Sequence, residues 1–467
     1  MKLRTGVELD EVQKFDLIVI GSGAGLDVAG AAAKNGMKVA IVEKSNMGGT
    51  CLNRGCIPSK LLLHSADVVD IIKSAHLFGI HIEKFTIDFQ KIVKRVTDVI
   101  DSDSNGIRNS LDNAENPKLF ASECRFVGDK VILAGGKKIS SNTILIAAGT
   151  RPRIPKIRGL DTTNYVTSDE ALRLSKQPKA LTIVGGGFIA AELGHFFGSL
   201  GTKINIIHKG RYLLPKEDEE ISKKFTDVFS KKYNVYLDCS PKLVTKKDGN
   251  FVISLKKSDS SRYLDIESDQ LLVAAGRTPN TDTLDLPMAG VKVNNDGFIK
   301  VDGTLSTNVE GIFALGDIIG HYQFRHSANL EAQYAFYNIT NPKKKLHVDY
   351  SAIPHAIFSS PQIAGVGYTE QELKKGKIDY HKSVYRYIDT AMGKALEDRE
   401  GFVKLLVNKE NRKILGCHIM GSQSSILIHE VLVAMRSGDG TIDNISKTVH
   451  VHPALSEVVS RAAMSVS

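Results

Sequence analysis

Apolar residues along this chain fall into two spacings, and the alternation between them marks the elements. Nearly unbroken apolar runs over residues 15–20 and 181–184 are each followed at once by a glycine-rich turn: Gly21-Ser22-Gly23-Ala24-Gly25 and Gly185-Gly186-Gly187-Phe188-Ile189-Ala190. Such runs predict strands buried on both faces of a parallel sheet. Behind each turn the spacing changes to that of a helix, over 26–36 and up to Gly201, and a second strand follows at 38–42 and 203–207. Each copy closes with a third apolar strand ending in the same tripeptide, Ala147-Ala148-Gly149 and Ala274-Ala275-Gly276. Between the copies, Leu61, Leu62, Val68, Val69, Ile71 and Ile72, then Ile92, Val93, Val96, Val99 and Ile100, recur at three and four and predict packing helices within 60–111. Beyond about residue 348 the pattern shortens to strands at 356–358 and 403–407 and helices at 369–374, 425–437 and 456–463.

One glycine turn before a helix is a weak signal, but two in the same strand-turn-helix-strand context are a strong one. The free amides and positive end of a helix N-terminus hold a pyrophosphate, and glycines let the backbone approach it. The pattern therefore predicts an α/β chain with two Rossmann-like dinucleotide domains and a smaller α+β domain behind them. Gly21, Gly23, Gly25 and Gly149 line the first nucleotide site; Gly185, Gly187, Ala190 and Gly276 line the second. Glu43 stands about 20 residues beyond the first glycine, where an acid accepts hydrogen bonds from a ribose. Leu26 occupies the place of the third fingerprint glycine, so the first strand and helix are expected to stand slightly farther apart.

At 467 residues the chain exceeds a single core, and two to four domains are expected. Five cysteines are too few for a secreted disulfide framework. The charged opening and the lack of a long apolar run predict neither a signal peptide nor a membrane span, and hence a cytoplasmic protein without a membrane partner. The net charge of +9 lies partly in lysine clusters such as Lys343-Lys344-Lys345, without interleaved stacking aromatics and with no tryptophan in the chain, so no nucleic-acid partner is expected.

Two cysteines change the picture. Cys51 and Cys56 lie five positions apart in Gly48-Gly49-Thr50-Cys51-Leu52-Asn53-Arg54-Gly55-Cys56-Ile57-Pro58-Ser59-Lys60. On a regular helix they would be roughly 7.5 Å apart along the axis, beyond the usual Cα separation of about 4.4–6.8 Å for a disulfide. The pair must occupy an irregular turn, with Gly55 supplying freedom and Pro58 disfavouring helical geometry at Ile57. A zinc site would need further ligands at motif spacing, and Cys124, Cys239 and Cys417 stand alone, so no metal is expected.

This run resembles that of the class I pyridine nucleotide-disulfide oxidoreductases, and the likeness extends over nearly the whole chain. The resemblance implies a redox-active disulfide in which Cys51 exchanges with substrate and Cys56 faces the flavin. It implies FAD in the first nucleotide site, with Lys60 near the reactive edge of the flavin and Glu192 paired to that lysine. Asp317, in Thr307-Asn308-Val309-Glu310-Gly311-Ile312-Phe313-Ala314-Leu315-Gly316-Asp317, would bond the ribityl chain. In His450-Val451-His452-Pro453-Ala454-Leu455-Ser456-Glu457, His452 matches the acid-base catalyst and Glu457 the carboxylate that orients it. Dithiol exchange passes through thiolates, so a base titrating near neutrality is required. His450 packs or orients, and His326 is structural or supporting.

The same resemblance implies domains at 1–150 and 277–347 for FAD, 151–276 for NAD(P) and 348–467 for dimerisation, with an obligate homodimer sharing its sites. Where an NAD-selective site wants an acid, the chain has His208-Lys209-Gly210-Arg211, which favours NADP over NAD by attracting a 2′-phosphate. The His-Pro-Ala-Leu-Ser-Glu ending and a first helix without arginine favour the dihydrolipoamide dehydrogenase branch, whose partner is a lipoyl domain. The basic turn favours an NADPH-dependent reductase of a low-molecular-weight thiol disulfide, like mycothione reductase. The closing residues 463–467 lack the cysteine pair that mercuric reductase and high-molecular-weight thioredoxin reductase would need.

Overall fold

The computed structural model describes residues 12–257 and 263–466. The opening on which the expectation of no leader partly rests, residues 1–11, and the last residue of the tail, Ser467, lie outside the described residues. The chain divides into two compact units: one holds the segments up to Pro58, Arg95–Pro152 and Arg277–Asp349, the other Ser59–Lys94, Arg153–Gly276 and from Tyr350 onward.

The first unit is built on a five-stranded parallel sheet in the order Ile312–Ala314, Ile144–Ile146, Leu17–Ile20, Val39–Val42, Lys118–Phe120. Every residue of Leu17–Ile20 and Val39–Val42 is buried, as unbroken apolar strands covered on both faces must be. Helix α1, Gly25–Lys34, packs through Gly25, Val28, Ala29 and Ala32, a small-residue face at helical spacing. A second sheet of Gln13–Lys14, Lys137–Ser140, Val131–Ala134 and Cys124–Gly128 completes the unit with the antiparallel pair Thr150–Pro152 and Arg277–Pro279.

The second unit repeats the nucleotide arrangement: Asn234–Tyr236, Lys203–Ile207, Ala180–Val184 and Gln270–Val273 form a parallel sheet with the post-glycine helix Phe188–Ser199. It adds an antiparallel sheet of Cys239–Lys247, Asn250–Lys257 and Tyr263–Ser268. Its C-terminal part is a five-stranded antiparallel sheet, His355–Ile357, Ile363–Gly367, Ile414–Met420, Phe402–Asn408 and Tyr380–Arg386, packed by the helices Ser424–Arg436 and Glu457–Met464. Among the described residues no helix is long and apolar enough to cross a membrane.

Candidate active site

The two nucleotide turns are the same device. Gly21 has φ +105°, and a Cβ there would fall 2.3 Å from the carbonyl oxygen of Ala147; Gly185 has φ +135°, and its Cβ would fall 2.1 Å from that of Ala274. The repeated Ala-Ala-Gly strand ends are thus what the first glycine of each fingerprint lies against. Matching backbone bonds fix both: Ala147 N–H donates to Ile20 and Ala274 N–H to Val184, each at 2.8 Å. A Cβ on Gly23 or Gly187 would meet nothing within 4 Å, which leaves open space at the start of each helix where a phosphate fits. Glu43 accepts from Ser22 through both its amide (2.9 Å) and its hydroxyl (2.7 Å), tying the strand end to the turn. Leu26 stands in the place of the third fingerprint glycine, and next to it strand and helix come close together. The close approach falls at Gly25, where a Cβ would meet Val19 at 2.8 Å, and Leu26 packs at the margin of the core.

The dithiol segment is seated on this turn. Gly48 and Gly49, at φ +99° and +66°, lead into helix α2, Gly49–Arg54, and a Cβ on Gly49 would reach 2.7 Å from Cα of Gly23. Gly55, at φ −145° and ψ −115°, interrupts the helix, and Cys56 opens α3, Cys56–Ser74. The irregular turn is present, but Ile57 is helical, contrary to the effect expected of Pro58. In the first turn a proline lacks only an N–H that no carbonyl would have received. Cys51 is half-buried and Cys56 exposed, and the two are thiols hydrogen-bonded to one another. That bond, reinforced by burial, pushes the Cys51 thiol far above its ordinary range, while the charge of Arg325 pulls it down.

Asp317 is the second residue of the short helical turn Gly316–Ile319 and accepts from Thr150 Oγ1 at 2.8 Å. Arg277 Nε donates to the same hydroxyl at 2.6 Å and lies 3.8 Å from Asp317. Thr150 and Arg277 were not singled out by the sequence reading, although each directly follows a Gly149 or Gly276 strand end. Gly149 itself is at φ +62° and Gly276 at +111°.

In the second unit Lys60 grips the buried carboxylate of Glu192 with both oxygens, at 2.8 and 2.9 Å. Phe358 closes on this pair, its amide donating to Glu192 at 3.0 Å and its ring 4.6 Å beneath the ammonium. Ala190 is buried one turn into the same helix as Glu192. His208 is only 9% exposed, its ring against Gly186 and Gly210, and its Nε2 is buried without a partner. Burial, aided by the neighbouring Lys209, pushes its pKa down, so the charge of the basic turn comes from the exposed Lys209 and from Arg211, which stacks on Tyr212.

His452 Nδ1 lies 3.0 Å from Glu457 Oε1, and Glu457 opens the helix that follows. A carboxylate accepts only, so Nδ1 carries the proton and Nε2 is left as the basic nitrogen. The bond from His452 holds the Glu457 carboxyl below its usual range. The side chain of His452 is 71% exposed. His450 is instead occupied by Glu430 and the Thr448 carbonyl, and His326 stacks on Phe324 at 5.3 Å.

Residues 15–332 match the family model described as pyridine nucleotide-disulphide oxidoreductase, and residues 353–463 match its dimerisation domain. The chain is 33% identical to mycothione reductase of Mycobacterium tuberculosis over 97% of its own length and 100% of that protein. It is 34% identical to dihydrolipoyl dehydrogenase of Geobacillus stearothermophilus, over 96% and 95%. Among solved structures it is similar to the HOCl-induced flavoprotein disulfide reductase RclA from Escherichia coli in its Cu(II) complex, with a TM-score of 0.87 and 25% identity over 98% of this chain and 100% of that one. With both family domains matched, a dithiol pair beside a glycine-built nucleotide turn, and a second such turn later in the chain, this chain belongs to the pyridine nucleotide-disulphide oxidoreductases, which use FAD and a nicotinamide cofactor.

Proposed function

We propose that the chain is a dihydrolipoyl dehydrogenase-type enzyme that passes electron pairs between NAD(P)(H) and a small dithiol or disulfide through Cys51 and Cys56. The observation that carries this reading is the placing of two thiols on either side of the α2–α3 break, on a segment seated against the first nucleotide turn. FAD would be held at Gly21, Gly23, Gly25, Glu43, Gly149 and Asp317, with Lys60 serving its reactive edge, and the nicotinamide cofactor at Gly185, Gly187, Ala190, Glu192, His208, Lys209, Arg211 and Gly276. When bound, FAD supplies two-electron exchange with the nicotinamide. In the reducing direction two electrons break the Cys51–Cys56 disulfide. His452, oriented by Glu457, then takes the proton of the Cys51 thiol as that sulfur displaces one sulfur of the substrate disulfide, and returns the proton to the sulfur that leaves. Cys56 next attacks Cys51, releasing the second thiol and closing the disulfide again. On this reading residues 1–150 and 277–347 bind FAD, 151–276 bind NAD(P), and 348–467 pair two subunits into an obligate dimer in which His452 serves the dithiol of the other subunit.

A second reading, reduction of a low-molecular-weight thiol disulfide with NADPH, is favoured by one observation. Lys209 is exposed, and burial leaves His208 without the acid's repulsion of a 2′-phosphate. Steady-state kcat/KM for lipoamide, dihydrolipoamide and a panel of small disulfides, each with both nicotinamides, separates the readings. Fast lipoamide turnover with NADH supports the first; slow lipoamide turnover beside fast, NADPH-driven reduction of another disulfide overturns it in favour of the second.

A further inference from the structure

The first helix contains no arginine, which by sequence leaves Cys51 without a cation. In the structure the same helix instead presents Asp27, and Asp27 Oδ2 receives Nη2 of Arg325 at 3.2 Å. The pairing spans 298 positions of sequence. Arg325 opens the helix Arg325–Thr340 and keeps 31% of its side chain exposed. Asp27 lies in the first turn of α1, just beyond Gly23 of the preceding turn, the residue against which the Gly49 end of α2 rests, so the guanidinium is tethered to the helix that leads out of the turn on which the Cys51 segment is seated. Its charge reaches Cys51, where it opposes burial and the Cys56 bond. A guanidinium offers five N–H donors in a flat fork suited to a carboxylate, and the contact to Asp27 uses one of them.

We propose that Arg325, tethered by Asp27, is a specificity-determining residue that draws carboxylate-bearing small disulfides to Cys51 in preference to neutral ones. The inference rests on the reading that Cys51 exchanges with substrate. A disulfide attacked by that sulfur brings its flanking groups within the field of the guanidinium. Asp27 has a double effect: it fixes the arginine and offsets part of its charge.

Lipoate and lipoamide test this, because they share the dithiolane ring and differ in a carboxylate against a neutral amide. The full-length flavin-loaded protein is assayed with saturating nicotinamide, and the ratio of kcat/KM for lipoate to that for lipoamide is compared among variants. An exposed ion pair is modest, so Arg325→Met is expected to lower the ratio about two- to fivefold. Arg325→Lys should restore most of it, Asp27→Asn should raise it, and added salt should shrink the wild-type ratio. An unchanged ratio in Arg325→Met overturns the proposal. If that variant fails to bind flavin, the Lys and Asp27→Asn variants decide, and an Asp27→Asn ratio that stays the same or falls counts against it. Failure of Cys51 as the exchange thiol is distinguished by 5,5′-dithiobis(2-nitrobenzoate) and 4,4′-dithiodipyridine: no turnover of either by the wild type removes the underlying reading, and the proposal with it.

Discussion

Alanine at Gly21 and at Gly185 should separate the two nucleotide sites. Both residues hold positive φ, and in both a Cβ would be driven into a backbone carbonyl, at 2.3 and 2.1 Å, where no flexible side chain can yield. Holding an alanine in such a conformation costs about 1–3 kcal/mol, a factor of roughly 5 to 150 in the affinity of a ligand that needs the native turn. The displaced carbonyl adds to this, so values at the upper end are expected. Gly21→Ala should emerge from gel filtration with little bound flavin per chain. Gly185→Ala should keep its flavin but show a nicotinamide KM raised by at least tenfold. The reasoning fails if Gly185→Ala loses flavin while Gly21→Ala retains it, or if both variants keep full flavin and an unchanged nicotinamide KM.

Three further outcomes are expected. Two-electron reduction should produce a long-wavelength thiolate-flavin absorption band that survives in Cys51→Ser and disappears in Cys56→Ser; the opposite pattern in anaerobic titrations reverses the two roles. His452→Gln should bind flavin normally yet exchange dithiols roughly 10²–10⁴-fold more slowly, and verified mixed dimers of His452→Gln with Cys51→Ser subunits should regain activity, since inactivity there denies sharing of the site between subunits. Burial works against protonation of His450, but Glu430 and the Thr448 carbonyl outweigh it and raise its pKa; its contribution to stability is therefore full below the unfolded value near 6.5 and is lost as pH rises through the folded value. The melting-temperature deficit of His450→Gln should accordingly be larger at pH 6 than at pH 9, and equal deficits refute the charge.

What the sequence revealed about this protein was governed by whether the physics was local. The two parallel strand-turn-helix units were legible because unbroken apolar runs and glycine turns are set by neighbours in the chain; the contacts of Gly21 with Ala147 and of Gly185 with Ala274 were not, because they join residues far apart in sequence. Lys60 with Glu192 and His452 with Glu457 came together as the family resemblance implied. The close approach of Gly25 to Val19 was not legible, because which side of a helix start meets the strand depends on its rotation. Thr150 and Arg277 escaped because their partner Asp317 is 167 positions from Thr150. The burial of His208 was equally hidden: it follows from Gly186 and Gly210 making room for the ring, while in the sequence it read as one member of a basic turn. The antiparallel sheet of Cys239–Lys247, Asn250–Lys257 and Tyr263–Ser268 was not legible, because its exposed, lysine-rich edges dilute the alternation.

The break at Gly55 makes Cys56 the first residue of a 19-residue helix, and this has a consequence for proton stoichiometry. The positive end of a helix favours a thiolate at Cys56, while the neighbouring Cys56 and burial raise the pKa of Cys51. With Cys56 as the thiolate, reduction of the pair near neutrality is expected to take up one proton for two electrons instead of two, which a pH series of redox titrations checks. A couple of that kind changes potential by about 30 mV per pH unit, half the slope of an ordinary dithiol. Acidification therefore makes this disulfide a stronger oxidant more gradually than it does a free dithiol substrate, and falling pH shifts the exchange equilibrium toward the reduced substrate.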